Sequence, residues 1–427
     1  MRLFRHLTTT SSSPPSNAGI LPGGLPFLRL ALACRQLLLH ASLMSVMFLL
    51  SGPARAAVVN VDGVLSVTGK ETLSATYDLP VRIEKDAGVL LAGAVFNNLL
   101  TVMEGASAEI AHNSSITVNA GLINRGTMSF PSRDRSSVVD GKGSIENAGV
   151  INIYPVGGGG AEAHFKVAVT ISFPGRLLLS SGWANFASGS SLNVAGAVEL
   201  AGDGRLRFDS SLPAHNMTVQ KGAQMTGTGT LLVGGENQVV MAGDATAAFH
   251  VTLVESARTA GKATLTLAGG QGLTGTYDSP VRIAEGASAT MFGAIFNNTL
   301  TVAAGGAIDV AHNNSVTING KLLNHGKMSL PSRDRYSHVN GSGTVENSGL
   351  IVVYPVGGGG AEAHFHLPVT VPVSGTLLLD AGYANFAPGS ALDVTGTVDV
   401  ENGRRLRFEG GEPREMIVRL GAQLLGT

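Results

Sequence analysis

The chain is 427 residues long, with 57 Gly, 14% charged and 5% aromatic residues. It is too apolar for a disordered chain and too rich in Gly for an ordinary helical protein. The formal charge is −1, but residues 1–56 hold five Arg (Arg2, Arg5, Arg29, Arg35 and Arg55) and no acid, so the rest stands at −6, a mildly acidic balance that gives no footing for a nucleic-acid or anionic-membrane partner.

Residues 1–56 read as an export signal with an extended n-region. Arg29 and Arg35 precede an apolar run from Leu37 to Leu50, and Ser51-Gly-Pro-Ala-Arg-Ala56 supplies small residues for cleavage between Ala56 and Ala57. The run is shorter than the ~20 residues of a bilayer span, which favours export over an anchor. Cys34, the only cysteine, lies inside this segment. The mature chain would therefore have no disulfide, thiol nucleophile or Cys-ligated metal, and its stability must come from ladder hydrogen bonds and stacked apolar layers.

Residues 57–70 are expected to form a first rung and N-terminal cap. The chain then repeats itself: copy one over 71–270, copy two over 271–427. Thr276-Tyr277-Asp278 answers Thr76-Tyr77-Asp78, Phe296-Asn297-Asn298 answers Phe96-Asn97-Asn98, and Tyr354 to Phe365 repeats Tyr154 to Phe165 letter for letter. Within each copy short alternating strands, such as Leu300-Thr-Val302 and Val316-Thr-Ile318, are separated by Gly, Asn, Ala and Ser. Asn-x-Gly-x-apolar recurs at Asn124, Asn147, Asn324 and Asn347. A period near 20 with two-residue alternation and no helical stripe predicts an all-β fold, a parallel β-helix built from a tandem duplication of about 200 residues. No linker separates the copies, so one continuous solenoid is expected, on the order of 90 Å long at about 4.8 Å per rung.

Gly222-Ala-Gln-Met-Thr-Gly-Thr-Gly-Thr-Leu231 and Leu300-Thr-Val-Ala-Ala-Gly-Gly-Ala-Ile308 resemble the passenger-associated repeats of Gram-negative autotransporters. The Asn-x-Gly-x-apolar repeats resemble those of filamentous-haemagglutinin-type adhesins. The resemblance covers most of residues 57–427. It implies a right-handed β-helix shown at, or released from, the outer membrane in adhesion or biofilm formation, with export machinery and an outer-membrane translocator as partners. Two features depart from it. No Asn-Pro secretion signature occurs, and the sequence stops at Thr427 in mid-repeat, without the strands of a translocating barrel. Truncation of a longer reading frame is the simplest expectation. Without a translocator the protein would be periplasmic.

Two places could carry chemistry. Arg133-Asp134-Arg135 and Arg333-Asp334-Arg335 are the densest charge in each copy, and their guanidiniums suit carboxylate or sulfate groups of acidic glycans; the plain alternative is a rung corner whose Asp pairs with its own Arg neighbours. Glu162 with His164, and Glu362 with His364, share a strand face by the period of two and form a candidate acid–base pair. A metal set adding His366 is set aside, because copy one has Lys166 there. The four consecutive Gly before each pair lack the Lys-Ser/Thr of a phosphate loop. His112 and His312 fall at turns. No cofactor is expected. The leading expectation is a non-enzymatic adhesin-like passenger, or a fragment of one, binding glycan or a host or matrix polymer along a lateral face. The alternatives are a polysaccharide lyase or hydrolase and a structural spacer.

Overall fold

The structure, a computed structural model, describes residues 57–132, 136–157, 160–332, 336–357, 361–380, 382–401, 404–410 and 415–426. Ala56, the Arg133-Asp134-Arg135 and Arg333-Asp334-Arg335 triplets and the export signal lie outside the described residues.

Short strands of alternating polarity cannot bury their apolar side alone, and here each one does so by pairing with the third strand further along the chain. Every regular element among the described residues is a strand of two to six residues. Apart from an initial antiparallel hairpin, the pairings run parallel. The result is the expected all-β parallel β-helix, with three strands in each coil. Inward side chains stack in columns: Val81 lies beside Leu100, then Leu122, Ile145, Val169, Leu192, Met217 and Val239. Each of these is at most 1% exposed. Coil length varies from 16 residues between Leu65 and Val81 to 27 between Leu200 and Gly227, because the corners absorb insertions while the strands keep register.

The hairpin of Ala57–Val61 and Val64–Thr68 turns on Asp62-Gly63. Both residues have positive φ, 52° and 80°, the backbone of a type I′ turn that suits Asp-Gly. It gives the first strand edge an antiparallel partner.

Aromatic rings form a second kind of column. Phe165 stacks on Phe186 at 5.1 Å and Phe186 on Phe208 at 5.0 Å; Phe365, Phe386 and Phe408 repeat this at 5.1 and 5.2 Å. Offset stacking of this kind adds about 0.5–1.5 kcal/mol per pair beyond area burial.

The Asn-x-Gly motif makes a corner. Asn124 and Asn147 are fully buried, Asn124 Nδ2 donates to Asn147 Oδ1 at 2.6 Å, and Asn147 Nδ2 donates to the carbonyls of Gly149 and Arg176 at 3.2 and 3.1 Å. Asn324 and Asn347 repeat the first contact at 2.6 Å. Gly follows because the coils touch there: a Cβ on Gly149 would stand 2.1 Å from Gly126 O. Outside, Asn97 donates to Asp78 and Asn119 to Asn97, both at 2.7 Å, which accounts for the Phe-Asn-Asn repeats.

The duplication does not land on a whole number of coils. Glu162–Phe165 is the sixteenth described strand and its equivalent Ala361–Phe365 the forty-fourth. They are 28 strands apart, and 28 leaves a remainder of one when strands come in threes. Thr76–Tyr77 accordingly sits in the same sheet as Glu162–Phe165, whereas Thr276–Tyr277 joins the sheet that holds Gly121–Asn124. Copy two is therefore turned by about a third of a revolution, and equivalent side chains emerge on successive faces of the prism. The strands flanking the two Arg-Asp-Arg triplets, Thr127–Ser132 and Lys327–Ser332, fall in different sheets for this reason.

Replacing Asn147 with Leu takes the acceptor from the buried Asn124 amide and a donor from the Arg176 carbonyl, while Gly149 O keeps the Arg176 N–H, at about 1–3 kcal/mol, and Gly149→Ala forces two backbones apart. Both variants should lower the thermal midpoint of unfolding by several degrees; an unchanged midpoint would contradict the corner as described.

Candidate functional site

Three adjacent strands of copy one, Glu162–Phe165, Trp183–Phe186 and Arg205–Phe208, turn Ala163, Ala184, Leu206 and their Phe residues inward. Alternation sends the intervening side chains out. Register then aligns Glu162 with Trp183 and Arg205, and His164 with Asn185 and Arg207. Copy two aligns Glu362 with Tyr383 and Arg405, and His364 with Asn385 and Arg407.

The sequence-predicted acid–base pairs do meet. His164 Nε2 lies 3.0 Å from Glu162 Oε1, and His364 Nε2 lies 3.2 Å from Glu362 Oε1. Asn185 Nδ2 donates to Glu162 Oε1 at 2.8 Å and touches His164 Nε2 at 3.3 Å. Asn385 Nδ2 likewise donates to Glu362 Oε1 and touches His364 Nε2 at 3.2 Å. The tautomer with Nε2–H donates to the carboxylate and leaves the ring lone pair on Nδ1; Asn185 or Asn385 then gives its hydrogen bond to the carboxylate alone, its Nδ2 lying beside Nε2 as a second donor.

Beside each pair is an aromatic ring under a guanidinium. Arg205 Cζ lies 4.9 Å and Arg207 Cζ 5.5 Å from the Trp183 ring centre, and Arg407 Cζ lies 4.2 Å from that of Tyr383. These are cation–π distances. Such a face offers a ring capped by guanidinium donors beside a carboxylate, with Asn185 and Asn385 buried between them as supports. Sequence reasoning passed over Trp183, Tyr383 and the Arg residues; placing the two copies in register with a period of two would have grouped them.

The copies diverge at one edge. In copy one, Lys166 Nζ pairs with Asp140 Oδ2 at 3.1 Å. The Gly141 N–H first, and then Lys166, hold the Asp140 carboxyl below its usual range. In copy two the corresponding residues are His366 and Asn340, and Val138 is replaced by His338. His338, His364 and His366 come together there with ring centres 5.1, 5.6 and 6.2 Å apart, and Tyr336 packs on His364 at 4.5 Å. Burial, then the neighbouring imidazoles, lowers the pKa of His338; burial, then His364, lowers that of His366. His338 carried no signal in the sequence until its strand was paired with the next coil. His312, expected at a turn, is beside Asn313, whose φ is 55°.

No family model matches the sequence. No curated protein matches it either. Among solved structures, the chain is similar to one described as the crystal structure of a TibC-catalyzed hyper-glycosylated TibA55-350 fragment, at 15% identity over 84% of this chain and 97% of that one, with a TM-score of 0.24. A superposition that loose carries no argument about function.

Arg205 and Arg207 shield the only Trp of the chain. The double variant Arg205→Ala/Arg207→Ala should raise the acrylamide quenching constant of Trp183 fluorescence; an unaltered constant would mean the guanidiniums do not cover the ring.

Proposed function

We propose that the protein is an exported, non-enzymatic, adhesin-like passenger that holds acidic glycan or matrix polymer on its lateral faces. The observation that carries this reading is the duplicated surface of Trp183 with Arg205 and Arg207, and Tyr383 with Arg407. Guanidinium forks take carboxylate or sulfate groups, and the aromatic ring under each holds the fork flat through a cation–π contact. Two such surfaces, a third of a turn and on the order of 45 Å apart at about 4.8 Å per coil, suit a flexible polymer that winds partway round the rod. The Arg-Asp-Arg triplets add cationic forks to the same proposal. Export and an outer-membrane translocator are part of this reading on the strength of the signal-like segment and the passenger-like repeats.

The Glu162–His164 and Glu362–His364 contacts favour a second reading, cleavage of a polysaccharide by acid–base chemistry. In both copies, however, the carboxylate already accepts from Asn185 or Asn385, an arrangement that fixes the pair within the surface.

Titration with acidic polysaccharides, followed through Trp183 fluorescence and calorimetry, tests the proposal. Trp183→Ala with Tyr383→Ala should weaken binding about 10-fold or more, the equivalent of one or two lost cation–π contacts. Replacing Arg133, Arg135, Arg333 and Arg335 with Ala should weaken it further. Binding left intact by both sets would refute the proposal. Soluble oligosaccharides released by the native chain, and not by Glu162→Gln/Glu362→Gln, would establish the enzymatic reading instead.

A further inference from the structure

We propose that copy two carries a surface site for a divalent first-row transition ion such as Zn2+, with His338, His364 and His366 as its ligands. One ring nitrogen from each of these three residues lies within 4.8 Å of the others. A tetrahedral Zn2+ with bonds of about 2.0–2.1 Å holds its ligand nitrogens about 3.3 Å apart, so the imidazoles need close by no more than about 1.5 Å, which rotation about their own side-chain bonds can supply.

The backbone is arranged for this closure. His338 and His364 are opposite one another on adjacent coils, and His366, one residue past the end of the strand Ala361–Phe365, is held to the previous coil by its N–H donating to Val339 O at 2.9 Å. Two donors thus come from paired strands and the third from the residue directly after one of them, its backbone still hydrogen-bonded to the neighbouring coil. The three residues are half-buried or exposed, which leaves room for water or a carboxylate at the remaining position, an open rather than a closed coordination shell.

The surroundings supply what ligating imidazoles use in established sites. With Nε2–H of His364 held by Glu362, the nitrogen left to coordinate is Nδ1, and a carboxylate behind a ligating His fixes its ring and raises its basicity. Tyr336, packed on the His364 ring at 4.5 Å, restricts its other rotation. Imidazole donors favour Zn2+, Ni2+ and Cu2+ over Mg2+ or Ca2+.

Copy one is the internal control. The same backbone there carries Val138, His164 and Lys166, and Lys166 is engaged with Asp140 at 3.1 Å. The changes that create the cluster are a cation to imidazole, an apolar residue to imidazole, and loss of the acid that had balanced the cation. All three lie on adjacent coils of one face, and together they exchange an ion pair for a ligand set.

The test is calorimetric titration of the full chain, free of any polyhistidine tag, with ZnCl2. One ion per chain is expected. His338→Val/His366→Lys installs the residues that copy one already accommodates, and should abolish binding with the thermal midpoint of the apo protein unchanged. Glu362→Gln should weaken binding about 10–100-fold, the usual effect of removing a carboxylate behind a ligating His. Val138→His/Lys166→His should create a second site in copy one and raise the stoichiometry to two. No Zn2+ binding by the native chain, or binding that survives His338→Val/His366→Lys, would overturn the proposal.

Discussion

The structure rests on parallel coils stacked in register. Each strand is too short to persist alone, and each finds hydrogen-bond partners only in the coils before and after it. The interior therefore consists of columns in which like sits on like, Phe165 on Phe186 on Phe208, and Asn124 against Asn147. A slip of one residue would turn every apolar side chain of a strand to solvent. That penalty keeps register fixed while coil length drifts between 16 and 27 residues.

The same stacking determines what the outside can do. Residues two apart on a strand, and residues level on adjacent strands, are held in a lattice about 4.8 Å by 6.6 Å. Glu162, His164, Trp183, Asn185, Arg205 and Arg207 occupy six neighbouring points of it, and copy two repeats most of them. A change at one point meets the same neighbours in either copy. Where the copies differ, as at Lys166 and His366, the difference can be read as chemistry, because the backbone beneath it is shared.

The solenoid, its period and its duplication were legible from alternation and spacing, since those patterns reflect the two constraints every coil meets: an apolar interior and a tight corner. The pairing of Glu162 with His164 was legible too, because two residues of one strand face are neighbours in any β structure. Trp183, Tyr383 and His338 were not, because their partners come from other coils, and sequences of uneven coil length do not say which residues are level. His366 illustrates the point: set against Lys166 it argues against a site, and only with His338 beside it does the exchange make sense. The turn between copies was hidden as well. A repeat of about 200 residues suggests equivalent faces in line, but the phase depends on the number of strands, 28, and not on the number of residues.

That phase is the account's central structural claim, and it decides whether the two aromatic–guanidinium surfaces share a face. Arg258 and Thr276 are opposite one another in adjacent coils, both pointing outward, at a parallel-strand spacing of about 4.8 Å that falls within disulfide range. With Cys34→Ser the chain is free of other thiols, so oxidation of paired cysteines is a clean readout. The account predicts that Arg258→Cys/Thr276→Cys cross-links readily and that Thr252→Cys/Thr276→Cys does not. Cross-linking of the second pair in place of the first would put Thr276 on the face that Thr76 occupies in copy one, and would contradict the third-of-a-turn offset.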